Sequence, residues 1–193
     1  MQLLALSGSL RAGSSNTILL EAAARLAPPG LSVTLWDGLA SLPHFNPDSD
    51  SGESSELPIP VVEWRRAVGK ADGLLLSTPE YASGLPGSFK NALDWLVGSV
   101  EFPGKTVAIL SPTARSVNAR AQLRLVLTTM SARVAERPSW IIPLPGRNTT
   151  LPEILERPAL SSSIREMMRE VADEIQRNTR EADGLMVPPR DVA

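Results

Sequence analysis

The apolar positions along the chain fall into two kinds of run that alternate. Leu3-Leu4-Ala5-Leu6 is unbroken and apolar, too short for a helix and suited to a strand covered on both faces. Ile18, Leu19, Ala22, Ala23 and Leu26 then recur at helical spacing until Pro28-Pro29-Gly30 ends the pattern. Leu31 to Leu35 alternates apolar and polar and predicts a second strand. Trp36 to Pro60 is a long connection with prolines at 43, 47, 58 and 60, and its 48–56 stretch is polar, acidic and expected to be solvated. Val61 to Ala71 predicts a short helix and Leu74-Leu75-Leu76 a third buried strand. Phe89, Leu93, Leu96 and Val97 mark one face of a helix that Pro86 opens and Gly98 closes. Lys105 to Leu110 predicts a fourth strand, and Ala119, Leu123, Val126, Leu127 and Met130 the helix after it. A fifth strand is expected near 139–142. A last helix is expected to start at a capping box of Ser163 and Glu166, carry Ile164, Met167, Met168, Val171 and Ile175, and stop at Gly184 before Pro188-Pro189.

Five buried strands alternating with helices predict a doubly wound parallel sheet with helices on both faces, in one domain spanning residues 1–193. Ligands of such sheets bind beyond the carboxyl ends of the strands, at the switch point. In the order 2-1-3-4-5 the first and third strands are neighbours, and the loops that follow them line one crevice.

Those two loops are the richest in the chain. Ser7-Gly8-Ser9-Leu10-Arg11-Ala12-Gly13-Ser14-Ser15-Asn16 holds two glycines, four hydroxyls, an amide and a guanidinium, and runs into a helix. A helix N-terminus offers unpaired N–H groups and partial positive charge, so this turn has the makings of an anion site. Ser9, Ser14 and Ser15 can add donors and Arg11 a forked, charge-assisted pair. It matches neither G-x-x-x-x-G-K-[ST] nor G-x-G-x-x-G, which favours a terminal phosphate over a dinucleotide pyrophosphate. The plainer alternative is a strand-to-helix connection whose serines only cap the helix. The second loop, Pro79-Glu80-Tyr81-Ala82-Ser83-Gly84, offers an aromatic, a proline edge and close backbone approach, which suit a flat ring read by main-chain amides. Its alternative is a turn that needs Gly84 and Pro86 sterically. A phosphate at one end and a planar heterocycle at the other describes a mononucleotide such as FMN.

Composition narrows the chemistry. The 193 residues are 42% hydrophobic and 21% charged with net charge −2, ordinary for a globular protein and without a basic field for nucleic acid or a membrane surface. No cysteine is present, which removes disulfides, thiolate catalysis and Cys-ligated metal. The lone histidine, His44, lies in the long connection and receives no role; no metal site is expected. The first strand begins at residue 3 and no apolar run approaches about 18 residues, so a cytoplasmic, soluble protein is expected.

Residues 8–16 resemble the G-S-L-R-x-x-S-x-N phosphate loop of the NAD(P)H-dependent FMN reductase family. Thr78 to Gly87, with Lys90-Asn91-Ala92 and Asp94-Trp95, is similar to that family's T-P-E-Y-N-x-S-x-P-G-x-L-K-N-A-I-D-W segment, and Leu42 to Asp48 to its L-P-x-[FY]-N-x-D stretch. The resemblance implies a flavodoxin-like fold, bound FMN, NADPH or NADH as reductant, a homodimer or homotetramer, and two-electron reduction of small-molecule acceptors: flavins, quinones, azo compounds or metal oxyanions. Carried over, Ser9, Arg11, Ser14 and Asn16 hold the phosphate, and Ser15 joins them as the further hydroxyl donor that the residues themselves offer. Pro79, Glu80, Tyr81, Ser83 and Gly84 meet the ring, mostly through backbone. The mechanism implied is a ping-pong hydride cycle that needs no acid–base side chain, so no catalytic residue is named. Two departures stand out. Ala82 replaces the family's Asn, and Ser111 to Val117 replaces a glycine-rich loop. Arg115 in that loop is placed either to meet a pyridine nucleotide phosphate or to lie in solvent. Trp95 and its apolar neighbours are either a subunit contact or core. The rival readings are a non-enzymatic FMN-binding electron carrier and an α/β transferase for another phosphorylated metabolite.

Overall fold

A computed structural model describes residues 1–50, 57–137 and 140–185. Most of the acidic stretch (51–56) and the Pro188-Pro189 tail lie outside the described residues. Among those described, five strands form one sheet: β1 (Gln2–Ser7), β2 (Ser32–Leu35), β3 (Gly73–Ser77), β4 (Thr106–Ile109) and β5 (Arg133–Ala135). Their order is β2-β1-β3-β4-β5 and every pairing is parallel. Leu6 stands opposite Leu76 and Ser7 opposite Ser77, so the first and third strands end level with one another. This is the flavodoxin-like order, whose reversal between β1 and β3 opens the crevice expected there.

Among the described residues six α-helices surround the sheet: α1 (Ser15–Arg25), α2 (Ile59–Lys70), α3 (Gly87–Asp94), α4 (Val117–Thr129), α5 (Leu151–Glu156) and α6 (Pro158–Leu185). Successive strand side chains point to opposite faces, and the core divides accordingly. Leu3, Ala5 and Leu75 pack with α1, Ile154 of α5 and the Ile164, Met167, Met168, Val171 and Ile175 stripe of α6. Leu4, Leu6, Leu74 and Leu76 pack with α2, α3 and α4 through Trp64, Phe89, Leu93, Leu123 and Leu127.

The structure corrects the chain reading in four places. The fifth strand is Arg133–Ala135, paired with Thr106–Ala108, and not the 139–142 segment, of which Ser139 lies outside the described residues. The later segment does run beside the same neighbour, where Ser111 donates to the Trp140 carbonyl and Ile142 to that of Ser111, but only as an isolated bridge. Pro143 and Pro145 lack the N–H needed to lengthen it. Second, the last helix begins at Pro158, and the Ser163 hydroxyl donates back to the Ala159 carbonyl inside it. The capping box belongs to α5: the Thr150 amide donates to Glu153 and the Glu153 amide to Thr150 Oγ1. Third, Trp95 is fully buried, with its indole N–H on the Pro43 carbonyl, so it is core and not a subunit contact. Fourth, Asp50, at the edge of the acidic stretch, is not solvated: Arg65 Nη2 donates to both its oxygens at 2.9 and 2.8 Å, while Arg65 Nε holds the Trp95 carbonyl. Asn91 fastens the same connection, accepting from the Phe45 amide and donating to the Pro43 carbonyl. His44 is exposed there.

Candidate functional site

The carboxyl ends of β1, β3 and β4 and the segment after Ile142 enclose a cleft of about 740 Å³. That volume lies inside the roughly 300–1,000 Å³ typical of small-molecule sites. One wall is Ser9, Arg11, Ser14, Ser15 and Asn16; a second is Pro79, Glu80 and Tyr81; a third runs from Pro112 to Ser116; a fourth from Pro143 to Arg147. Eight of the ten residues expected at the site therefore line one cavity. Ser83 and Gly84 do not.

The first wall is built on close approach. The Gly8 amide donates to the Ser77 carbonyl at 2.8 Å, and a Cβ on Gly8 would sit 2.4 Å from Thr78 Oγ1. Only a residue without a side chain lets the β1 and β3 loops meet this closely. Beyond it, the Ser9 amide donates to Ser7 Oγ and the Arg11 amide to Ser9 Oγ, and Gly13 takes φ +65°. Ser14 caps α1 by accepting the Asn16 amide, as the plainer alternative required, yet its hydroxyl hydrogen stays available. Asn16 Oδ1 accepts from buried Ser77 Oγ at 2.9 Å, so this side chain clasps the two loops together. The amides of Leu10, Ala12, Gly13 and Ser14 have no acceptor among the described residues. Four open N–H groups beside a helix N-terminus and an arginine are the donor set a phosphate monoester requires.

The second wall is a two-residue hairpin. Tyr81 and Gly84 exchange both backbone hydrogen bonds at 3.0 Å, and Ala82 and Ser83 turn the chain at φ 48° and 62°. Ser83 and Gly84 thus form the hairpin that holds Tyr81, which is half exposed at the cleft. The Glu80 carboxylate reaches away to α4, accepting the Ala119 amide at 3.0 Å and Asn118 Nδ2 at 3.2 Å. The Ala119 amide, opposed by some desolvation and aided by Asn118, holds the Glu80 carboxyl below the ordinary carboxylate range. Gln122 completes the attachment by accepting the Leu85 amide at 2.7 Å.

The third wall is the loop after β4 that departs from the family's glycine-rich pattern and carries Arg115. Ser111 Oγ donates to the Thr113 carbonyl, and the Arg115 amide donates to Thr113 Oγ1, which fixes the main chain beneath an exposed Arg115. The fourth wall was missed. Leu144 donates to the Pro112 carbonyl, and Ser15 Oγ lies 3.5 Å from the Arg147 carbonyl that accepts from it. Arg11 Nη2 is 3.4 Å from Asn148 Oδ1. Its signal was present as Pro143-Leu144-Pro145-Gly146-Arg147, a turn with a cation directly after an apolar run.

The described residues contain no group of three or more His, Cys, Asp or Glu placed to hold a metal, and no helix long and apolar enough to cross a membrane. The cleft instead carries three guanidiniums and one carboxylate that α4 already engages, a balance that favours an anionic ligand.

Comparison with known proteins agrees with this chemistry. Residues 1–145 match the model of the NADPH-dependent FMN reductase family. An NAD(P)H-dependent FMN reductase of Pseudomonas aeruginosa is 38% identical over 147 residues, covering 74% of this chain and 77% of that protein. A quinone reductase of Escherichia coli is 32% identical over 146 residues, covering 73% and 77%. A 2-hydroxy-1,4-benzoquinone reductase of Burkholderia is 34% identical over 141 residues, covering 70% and 74%. In fold, the chain is similar to the flavoenzyme NAD(P)H:(acceptor) oxidoreductase FerB of Paracoccus denitrificans, with TM-score 0.75 and 23% identity over 92% of this chain and 98% of that one. The chain belongs to the NADPH-dependent FMN reductase family of oxidoreductases, for which FMN and NAD(P)H are the expected cofactors.

Proposed function

We propose that the protein, folded as one flavodoxin-like domain, is an NAD(P)H-dependent reductase that holds FMN in this cleft and passes two electrons to small-molecule acceptors, quinones and flavins first among them. The observation that carries the reading is the polar turn whose Ser9, Arg11, Ser14 and Ser15 form one wall of the cleft, opposite the Tyr81 hairpin on another. Ser9, Arg11, Ser14 and Ser15 bind the phosphate through amides, hydroxyls and a guanidinium, and Asn16 fixes the distance between the two loops by its bond to Ser77. Pro79, Glu80 and Tyr81 border the ring through main chain, on a hairpin that Ser83 and Gly84 shape.

When bound, FMN supplies hydride chemistry between a reduced pyridine nucleotide and an acceptor. The residues around it hold, orient and polarise. The one carboxylate on the walls, Glu80, is engaged with α4, and the hydride cycle needs no acid or base from the protein. Reductant and acceptor use the remaining open side of one cleft in turn, which is a ping-pong order. Azo compounds and metal oxyanions fit the same place as further acceptors. A cytoplasmic setting supplies the reduced pyridine nucleotide. Exposed Val97, Val100, Val117 and Leu125 are apolar surface suited to a homodimer or homotetramer.

The test is steady-state kinetics of the FMN-loaded protein with NADPH or NADH against a quinone. Parallel lines in double-reciprocal plots support the reading. Absence of turnover with quinone, flavin, azo dye and chromate alike would overturn it.

A further inference from the structure

We propose that Arg147 is a second guanidinium for the FMN phosphate, facing Arg11 across the turn. The inference rests on the phosphate reading of residues 8–16 and adds a binding residue beyond the 1–145 stretch that the family model matches.

The charge requirement comes first. A phosphate monoester carries about −1.5 to −2 charges near pH 7, more than one guanidinium neutralises. The cleft offers three: Arg11, Arg115 and Arg147. Arg115 stands on the wall after β4, where Glu80 and α4 meet. Arg147 stands on the segment bound directly to the phosphate turn. Ser15 at the start of α1 donates to the Arg147 carbonyl, and the next residue, Asn148, accepts from the Arg11 guanidinium. Two successive residues of this segment therefore touch two residues of the turn.

The backbone beneath Arg147 is fixed. The Gly146 amide donates to Thr149 Oγ1 at 3.1 Å, that hydroxyl donates back to the Gly146 carbonyl at 2.9 Å, and Thr149 is buried. Thr150 follows at once as the cap of α5. Arg147 is thus the exposed tip of a turn closed by Thr149, lining the cleft, with no hydrogen-bond or ion-pair partner for its guanidinium among the described residues. Because the main chain beneath it is already held, binding an anion orders only the Arg147 side chain and not the turn.

The experiment compares FMN and riboflavin binding, by quenching of flavin fluorescence, in the unaltered protein, Arg147→Ala and Arg147→Lys, with thermal unfolding as the check on folding. Arg147→Ala is expected to weaken FMN by roughly five- to twentyfold, a charge-assisted contact discounted for its exposure. Riboflavin binding changes less than about twofold, since the contact is to the phosphate. Lysine restores part of the loss, and the salt dependence of FMN binding becomes shallower in the alanine variant. Inorganic phosphate competes with FMN less well in Arg147→Ala than in the parent. Equal weakening of both flavins, or of neither, overturns the proposal while leaving the phosphate turn intact. A parent protein that binds riboflavin as tightly as FMN overturns the phosphate turn itself, and this inference with it.

Discussion

The Glu80 carboxylate accepts the Ala119 amide at 3.0 Å, which makes a residue of the β3 loop the cap of the helix that follows β4. Two walls of the cleft are thereby one mechanical unit, with Gln122 holding Leu85 as the second fastening. Glu80→Ala should lower the thermal midpoint modestly and weaken FMN binding, while Glu80→Gln, which keeps an acceptor for Ala119, should lose less of both. The folded-state value of Glu80 is depressed below its ordinary 4.5. Its contribution is therefore present above that value and disappears as pH falls through the lower one. Urea unfolding of parent and Glu80→Gln, once near neutrality and once well below pH 4.5, should show the gap between them closing on acidification.

Arg11 is the charged donor of the phosphate turn. Its removal in Arg11→Ala should weaken FMN by about 1.5–3 kcal/mol, the usual range for a hydrogen bond to a charged group. Isothermal titration with FMN and with riboflavin checks this, because only the phosphorylated ligand should be affected.

Ala82 and Ser83 occupy left-handed backbone at φ 48° and 62° in a hairpin that favours Asn-Gly. Ser83→Gly should stabilise the protein by about 1 kcal/mol by relieving the Cβ penalty. Ala82→Asn should act in the same direction by a smaller amount. The urea midpoint should rise with an unchanged slope.

Gly8→Ala would place a methyl 2.4 Å from Thr78 Oγ1 and 3.0 Å from Phe89 Cγ. Both neighbours are buried, so the loops must part; overpacking of this kind costs about 1–3 kcal/mol. The variant should unfold at lower urea and bind FMN less tightly, which separates it from a surface change.

Strand order, the first four helices and eight of the residues that line the cleft could be read from the chain because each rests on a strong local pattern. Leu3 to Leu6 and Leu74 to Leu76 are apolar without a break, and each leads straight into a polar turn containing glycine. The misplaced features have the opposite character. Arg133–Ala135 is a three-residue edge strand opening on a charge, and Arg133 sends its guanidinium to the Asn178 carbonyl, a contact 45 residues away. Ser163 and Glu166 have capping-box spacing, yet the chain around them is already helical from Pro158. The 143–147 stretch reads locally as a proline turn ending in a cation, but its place as a wall of the cleft comes from long-range contacts to Pro112 and Ser15. Trp95 could have faced either way on periodicity; the Pro43 carbonyl that receives its N–H decides for the interior.

The central claim is that this cleft binds a flavin by its phosphate and presents it to a pyridine nucleotide. The most direct measurement is one anaerobic spectrophotometric titration of the purified protein, first with FMN or riboflavin and then with NADPH. The account predicts tighter binding of FMN than of riboflavin, followed by bleaching of the bound flavin on addition of NADPH. Equal affinity for the two flavins, or bound FMN that stays yellow in excess NADPH and NADH, would contradict it.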